Sequence, residues 1–538
     1  FIRERNKLTM RSYCSSTIVV HHRWVLLVLV SLAGGVGFPP VAVADSSLSS
    51  GDSEPNWELF LDDYIIERST GFRRVLHHPE PRGVVIHPDQ PWETQGMSVM
   101  YVDRRADGRW ECYYRVHGKG IPADTTAYAI SDDGIHWEKP VLGLVVGPNG
   151  TENNLLPCGA PFDLGKYGNI SDPNKRFLIG LSSDENPRSH KMQLFFASEL
   201  PDWQNDPDWR DKLIPAGKKP SYKLGLHFWD DQNEDWVFMR QSPNHPPTRC
   251  VARWSTPDLQ NWRVKPVFYP DAQDSTDPRF FDEIYGMHAM HTEGVVFGFA
   301  EWLIGDQTRP DMAVLSQEVI GHVFMKGTME VRVAVSRDGG FTWDRTVSRE
   351  AWIPHGKETD SYDRLVRIFC SPVRMGDEDW FYCTVINGDH GSAFDYYKDN
   401  RHPKHSGALY VQKHNRYVSL RAGNTPQILI TQPMEVTGKK IQLNVDASHG
   451  EVRVGVGIDK KMVIFDTAAI LPNYMIRDRQ GQTHLEKGLT LEDCQPVHVN
   501  SIEHTVEFNG GDLESLQGKM VRLYILVQDA DLYGFRFR

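Results

Sequence analysis

Between residues 97 and 417 the chain keeps returning to one short pattern. An alternating apolar and polar run leads into a turn rich in Ser, Asp and Gly, and a tryptophan then starts the next run. The plainest copy is residues 331–343, VRVAVSRDGGFTW. Alternation at period two is that of a half-buried strand. Ser336, Asp338, Gly339 and Gly340 supply the turn, since glycine accepts positive φ and aspartate bonds backbone N–H groups a little further on. Residues 127–137 read AYAISDDGIHW and residues 251–262 read VARWSTPDLQNW; a weaker copy lies at 193–203 and a worn one at 409–417. With Ser131, Ser198, Ser255 and Ser336 as markers, the spacings are 67, 57 and 81 residues. Five copies of one hairpin-rich unit predict radial repetition, in which each small sheet buries its faces on its neighbours. The expected architecture is a five-bladed β-propeller.

The same patterning places the strands. Residues 57–66 form an opening strand, and the first unit takes 97–102, 110–115, 126–131 and the run begun by Trp137. The second takes 167–171, 176–181 and 191–198; the third 222–229, 236–241, 249–255 and 262–265. The fourth has 284–291 and 295–302, an insertion over 303–328, and the 331–343 hairpin; the fifth has 365–374, 380–386, a His- and Asp-rich loop at 387–405, and 408–412. After Arg421-Ala422-Gly423 the texture changes. Evenly spaced runs at 427–431, 440–445, 452–458, 504–508 and 521–528 lack the turn signature and predict a β-sandwich. With no long amphipathic helix in sight, the fold class is all-β: a propeller over 57–420 and a sandwich over 421–538.

Composition adds a destination. Residues 1–44 have the form of an export leader, with Arg11 and Arg23 before the apolar run 24–33 and Ala42-Val43-Ala44 as small residues ahead of Asp45. The run is short for a bilayer span. Met10 is a plausible true start, and 45–56 is a polar linker. The expected location is exported, periplasmic or secreted, with no membrane span once the leader is removed. The net charge is −12 and no long basic run appears, which excludes nucleic acid as the expected partner. Six cysteines follow the leader without zinc-like spacing. Cys370 and Cys383 stand symmetrically about the Gly376-Asp377 turn, as either a cross-strand disulfide or two buried free thiols.

With the units placed, a resemblance can be named. Hairpins ending in SDDGIHW and STPDLQNW resemble the blade ends of family 32 and family 43 glycoside hydrolases, and SRDGGFTW resembles the Asp-box of sialidases. A five-bladed propeller followed by a sandwich is similar to the family 32 arrangement. The resemblance covers roughly residues 57–538 and implies a carbohydrate substrate. The family 32 nucleophile motif, Asn-Asp-Pro, is replaced here by Pro91-Trp92-Glu93-Thr94. Its Arg-Asp-Pro has only echoes, at Ser171-Asp172-Pro173 and Thr276-Asp277-Pro278-Arg279.

Glycoside cleavage needs two carboxyl groups flanking one bond, one protonated and one ionised. Propeller sites form where innermost strands begin, so carboxylates at those points are the candidates. Glu93, Asp163, Glu283 and Asp363 each precede an expected inner strand, with Asp282 and Asp360 beside two of them; the third unit offers Lys218 and Lys219 instead. The expected catalytic set is Glu93 as nucleophile or base, Glu283 as acid, and Asp163 and Asp363 in support. Asp282, Arg279, Arg364, Arg367 and His288 are expected substrate ligands, the arginines because a guanidinium fork matches a planar oxyanion such as a uronate or sulfate. Simple ion pairing with the adjacent acids is the alternative. His288 and His291 lie on opposite faces of a strand and make no paired metal site. No cofactor is expected, although a structural calcium near a channel histidine, as in family 43 enzymes, is compatible. Asp133, Asp258 and Asp338 belong to the repeated turn and are assigned to structure. The leading function is glycoside hydrolysis of an oligo- or polysaccharide; a non-catalytic carbohydrate-binding propeller and a sugar phosphorylase are the alternatives.

Overall fold

The computed structural model describes residues 56–538 except 119–120, 122–124, 168–171, 183–191, 204–205, 207, 220–225, 243–248, 275–279, 307–326, 348, 359–360, 391–403 and 459–484. The leader and nearly all of the linker therefore lie outside the described residues, as do Arg279, Asp360 and most of the expected 303–328 insertion and 387–405 loop. What is described is nearly all strand. The α-helical content among the described residues is the single turn Leu164–Tyr167.

Residues 80–413 form successive antiparallel meanders. The first comprises Gly96–Arg104, Trp110–His117, Thr126–Ser131 and Trp137–Glu138. The second comprises Phe162–Asp163, Phe177–Ser182, Met192–Ala197 and Ile214–Lys219. The third runs Phe228–Asp230, Asp235–Gln241, Val251–Thr256 and Arg263–Phe268. The fourth has the long strands Phe280–Thr292, Val295–Asp306 and Gly327–Ser336, with a bridge from Val335 to Asp344. The fifth joins Leu365–Arg367 and Val373–Met375 to Glu378–Ile386 and then His405–Lys413. Its last strand is covered by Glu80–Ile86, which comes from ahead of the first meander. That pairing covers the edge of His405–Lys413, and the spacing of the repeats alone does not reveal it.

Alternation explains why these strands read as apolar on both sides. Along Trp110–His117, Trp110, Cys112, Tyr114 and Val116 enter a core shared with the fifth meander, while Tyr113 enters one shared with the second. Further cores lie between the second and third meanders, the third and fourth, and the fourth and fifth. Trp110 stacks on Trp380 at 5.6 Å, and the Tyr382 hydroxyl donates to the Gly134 carbonyl at 2.8 Å. The first and fifth meanders are thus fastened to each other. The two cysteines of the fifth meander face opposite ways: Cys370 lies in the core toward the first meander and Cys383 in the core toward the fourth. Both are free, which settles the choice left open by their spacing.

The second meander departs from its expected strands. Residues 168–171 lie outside the described residues, and the innermost strand is Phe162–Asp163 instead of 167–171. Lys218 and Lys219 close the same meander's outer strand, paired with Gln193 and Met192, and do not begin the third.

Residues 418–537 form two further sheets. One orders Arg73–Leu76, Val418–Ala422, Ala530–Phe537, Ile441–Asp446 and Asn500–Thr505, and Glu58–Leu59 adds to Ala530–Phe537. The other orders Ile66–Ser69, Gln427–Thr431, Met520–Gln528 and Met434–Glu435, with Glu451–Ile458 also on Met520–Gln528. Leu443, Phe535, Val454 and Ile525 belong to one core between them. The 57–66 run, expected to open the first unit, thus serves these sheets. Its Asp62 is clamped by Arg337 through bonds of 2.7 and 2.9 Å, tying the sheets to the fourth meander's turn.

Candidate functional site

The repeated turn does what its residues dictate. Asp338 accepts from the backbone N–H groups of Phe341 and Thr342 at 3.0 and 2.8 Å, and Ser336 Oγ accepts from Gly340 N. Asp133 accepts from Ile135 N and His136 N, and Asp258 from Gln260 N and Asn261 N. Bonds from the backbone N–H of His136 and Asn261, respectively, head the causes that hold the Asp133 and Asp258 carboxyls well below the usual range. In the third copy the hydroxyl belongs to Thr256, one residue after the marker Ser255. Gly339 and Gly340 adopt φ of +70° and +89°, a region open to glycine at little cost.

The expected carboxylates do not gather at one point. Glu93 is buried, and its oxygens are fully committed: Oε1 accepts from the Tyr114 hydroxyl at 2.6 Å, and Oε2 from Lys139 Nζ at 2.7 Å and Gln90 N at 3.1 Å. Lys139 is itself covered and also donates to Asp89 and the His87 carbonyl. Asp163 lies at the end of its strand. It caps Lys166 N and pairs with Arg176, while Lys166 Nζ reaches Asp103, near the C-terminal end of Gly96–Arg104. Glu93 precedes the N-terminal end of that nine-residue strand. At about 3.3 Å per residue, the two expected partners stand a full strand length apart.

Asp363 accepts from Ser361 Oγ, and Arg364 holds Asp389 and the carbonyls of Gly356 and Lys357; together they secure the 355–364 loop. Burial raises the Asp282 carboxyl, which points toward Arg332 and Asp274, the opposite face from Glu283. His288 is buried, with Nε2 at 3.0 Å from Ser371 Oγ and its ring 4.7 Å from that of His227. Desolvation pulls it down to about 3, so it stays neutral in the core.

Two expected residues do meet. A bulge after Ile284 sets Glu283 opposite Leu303 and Gly286 opposite Glu301. Leu303 and Glu301 are two apart on one strand, so Glu283 and Glu301 emerge on the same face. Glu283 is bonded by Arg249 Nη1 at 2.9 Å and Glu301 by Arg367 Nη2 at 2.9 Å. Both guanidiniums lie over the ring of Tyr285, at 5.3 and 4.9 Å. The glycine at 286 makes the approach feasible, because a Cβ there would fall 2.6 Å from Glu301 Oε2. Arg240 adds a third guanidinium, with its Nη1 3.7 Å from the same Cβ position. His117 and His405 pack at 4.8 Å beside this group, and burial lowers both, His117 to about 4. Both are therefore uncharged at neutral pH.

This cluster takes Glu283 and Arg367 from the expected set and adds Glu301, Arg240, Arg249 and Tyr285. The sequence held a signal for the additions. Glu301 in GFAEWLI and Arg240 in WVFMRQ are each a lone charge within a largely apolar run of a second strand. A search confined to inner-strand starts misses them. Among the described residues no group of three or more His, Cys, Asp or Glu is arranged to hold a metal ion. An open depression of about 380 Å³, lined by His449, Glu451, His498 and Asp529, lies in the C-terminal sheets, apart from this cluster.

Solved structures similar to this chain include glycoside hydrolases. One described simply as a glycoside hydrolase is 14% identical, covers 63% of this chain and 92% of its own, and has a TM-score of 0.36. An α-L-arabinofuranosidase from Fusarium graminearum, bound to an iminosugar inhibitor, is 10% identical over 62% of this chain and 98% of its own, at 0.34. A Penicillium chrysogenum α-L-arabinanase with arabinobiose is 10% identical over 64% and 99%, at 0.30. No family model matches the chain, and neither does any curated protein. At these TM-scores the likeness is loose, and the functional reading rests on the side chains.

Proposed function

We propose that the chain is an exported glycoside hydrolase, built as a five-bladed β-propeller carrying a β-sandwich, and that Glu283 and Glu301 are its carboxyl pair. The propeller reading is supported by the meanders packing in sequence, the fifth returning to the first. In a closed ring, the cluster around Tyr285 stands at the axial end where inner strands begin. Export rests on the leader pattern of residues 1–44.

One observation carries the catalytic assignment: two carboxylates from adjacent strands share a face, and the arginines bonded to them both lie over one tyrosine ring. Glu301, bonded by Arg367 at 2.9 Å and with its other oxygen unbonded, is the base or nucleophile. Glu283 serves as the acid once entering sugar displaces Arg249 and leaves its carboxyl in a drier setting. Glu93 leaves the catalytic set because both its oxygens are already bonded, to Tyr114, Lys139 and the Gln90 amide, whereas Glu301 keeps one oxygen without a bond. The test is release of reducing sugar from plant and algal glycans by the wild type, Glu283→Gln and Glu301→Gln. Each amide should cost at least about 100-fold in kcat per folded molecule; full activity in either variant removes the assignment.

A second reading, a carbohydrate-binding propeller without turnover, is favoured by one fact. In the free protein each carboxylate is held in an ion pair, Glu283 with Arg249 and Glu301 with Arg367. Glycan binding with no product after long incubation selects it. The phosphorylase alternative loses its lysines, which lie on an outer strand.

A further inference from the structure

We propose that Arg115, Arg240 and Arg367 form a receptor for the oxyanion of an acidic sugar, a carboxylate or sulfate group on the glycan. The inference rests on the carbohydrate reading above but not on turnover. The three residues come from different meanders: Arg115 from Trp110–His117 of the first, Arg240 from Asp235–Gln241 of the third, and Arg367 from Leu365–Arg367 of the fifth.

Arg240 is the decisive member. Its side chain is largely buried, yet it has no hydrogen bond or ion pair among the described residues, and its Nε is fully covered. Its guanidinium lies 6.0 Å from the ring of Phe369. Arg367 lies over the same ring at 4.5 Å. Arg367 spends one Nη on Glu301, and its Nε is covered and unbonded. Burying a charged group without a partner is costly, and placing like charges beside it adds to the cost. Here burial first, and the charges of Arg367 and Arg115 after it, pull the Arg240 guanidinium down to about 10, against the opposing pull of Glu301. It stays charged at neutral pH and has no acceptor among the described residues.

An oxyanion supplies one. Guanidinium forks bind planar and tetrahedral oxyanions through paired, charge-assisted hydrogen bonds. A neutral hydroxyl cannot balance the charge. The uncharged His117 and His405 add polar edges without competing for the anion, and the Nδ1 of His405 is likewise covered and unbonded. Glu301 has a second oxygen without a bond, so the group holds both signs within reach of one sugar. That places an acidic substituent next to the candidate carboxyl pair.

The test is isothermal titration of the whole mature chain with four probes: a galacturonate trisaccharide, a sulfated galactose trisaccharide, a neutral galactose trisaccharide and sodium sulfate. Wild type should bind at least one acidic sugar at least about tenfold tighter than the neutral one and tighter than free sulfate. Whichever acidic probe binds names the source of the oxyanion. Arg240→Met should lose that preference while melting no lower than wild type, because it removes an unpaired buried charge. Arg240→Lys should retain part of it. Equal binding of acidic and neutral sugars overturns the proposal. So does failure of both acidic sugars to bind at 10 mM, preference for free sulfate, or an Arg240→Met variant that keeps the preference. Acidic binding without product release leaves the receptor standing and removes the hydrolase; product release from neutral glycans alone does the reverse.

Discussion

Lys139→Met separates a structural Glu93 from a catalytic one. The lysine side chain is 4% exposed and that of Glu93 is fully covered, with Nζ and Oε2 2.7 Å apart. Taking the lysine away leaves a sealed carboxylate with two neutral donors, Tyr114 and the Gln90 amide. Breaking such a pair from one side costs about 3–5 kcal/mol, because the surviving charge stays desolvated. Glu93→Gln alone keeps the shape, and Lys139 retains Asp89 as a partner, so its cost falls near about 1–3 kcal/mol. Combining the two removes both charges and should cost less than the sum of the single changes by about 1–3 kcal/mol. The assay is urea unfolding followed by tryptophan fluorescence, with Trp92 adjacent to the pair and bonded to Asn154. Turnover per folded molecule should be retained in all three variants. The reasoning is refuted if Lys139→Met unfolds within about 1 kcal/mol of wild type. A stable, inactive Glu93→Gln would refute it as well, by restoring Glu93 to the chemistry.

Other consequences follow from the same physics. Asp338→Ala strands the Phe341 and Thr342 amides and should cost about 1 kcal/mol in urea unfolding, with turnover unchanged. Burial raises the Glu111 carboxyl to about 7, so the folded state binds its proton more tightly than the unfolded chain does. The Glu111 contribution therefore favours the fold below pH 4.5 and is lost as pH rises toward 7; Glu111→Gln should flatten that decline in a stability–pH series. His117 works in the opposite sense: lowered to about 4, it costs stability as pH falls from 6.5 toward 4, and His117→Gln should remove that dependence. The six described cysteines are buried and free, so a thiol reagent should label them in denaturant and leave the native protein largely unlabelled.

The repeat was legible because its cause is local. A Ser-Asp-Gly turn and its tryptophan are written in contiguous residues, and alternation marks each flanking strand. What escaped was non-local. Glu80–Ile86 pairs with His405–Lys413 across more than three hundred residues, and Glu58–Leu59 joins the C-terminal strand. Nothing near either segment signals its partner. The site failed in a related way. A carboxylate ahead of a strand faces whichever side the loop dictates, and Glu93 turns to Lys139. Glu283 shares a face with Glu301 across the strand pair, and a bulge after Ile284 sets Gly286 opposite Glu301, a register that periodicity does not reveal. The lone charges within apolar second strands, Arg240 and Glu301, were the better clue.

The most direct test of the account is a crystal structure of Glu283→Gln with an acidic oligosaccharide bound. The account predicts the scissile oxygen lying between residue 283 and Glu301, with an acidic substituent on Arg240. Sugar seated instead in the depression beside His449 and Asp529, or on any surface remote from Tyr285, would contradict it.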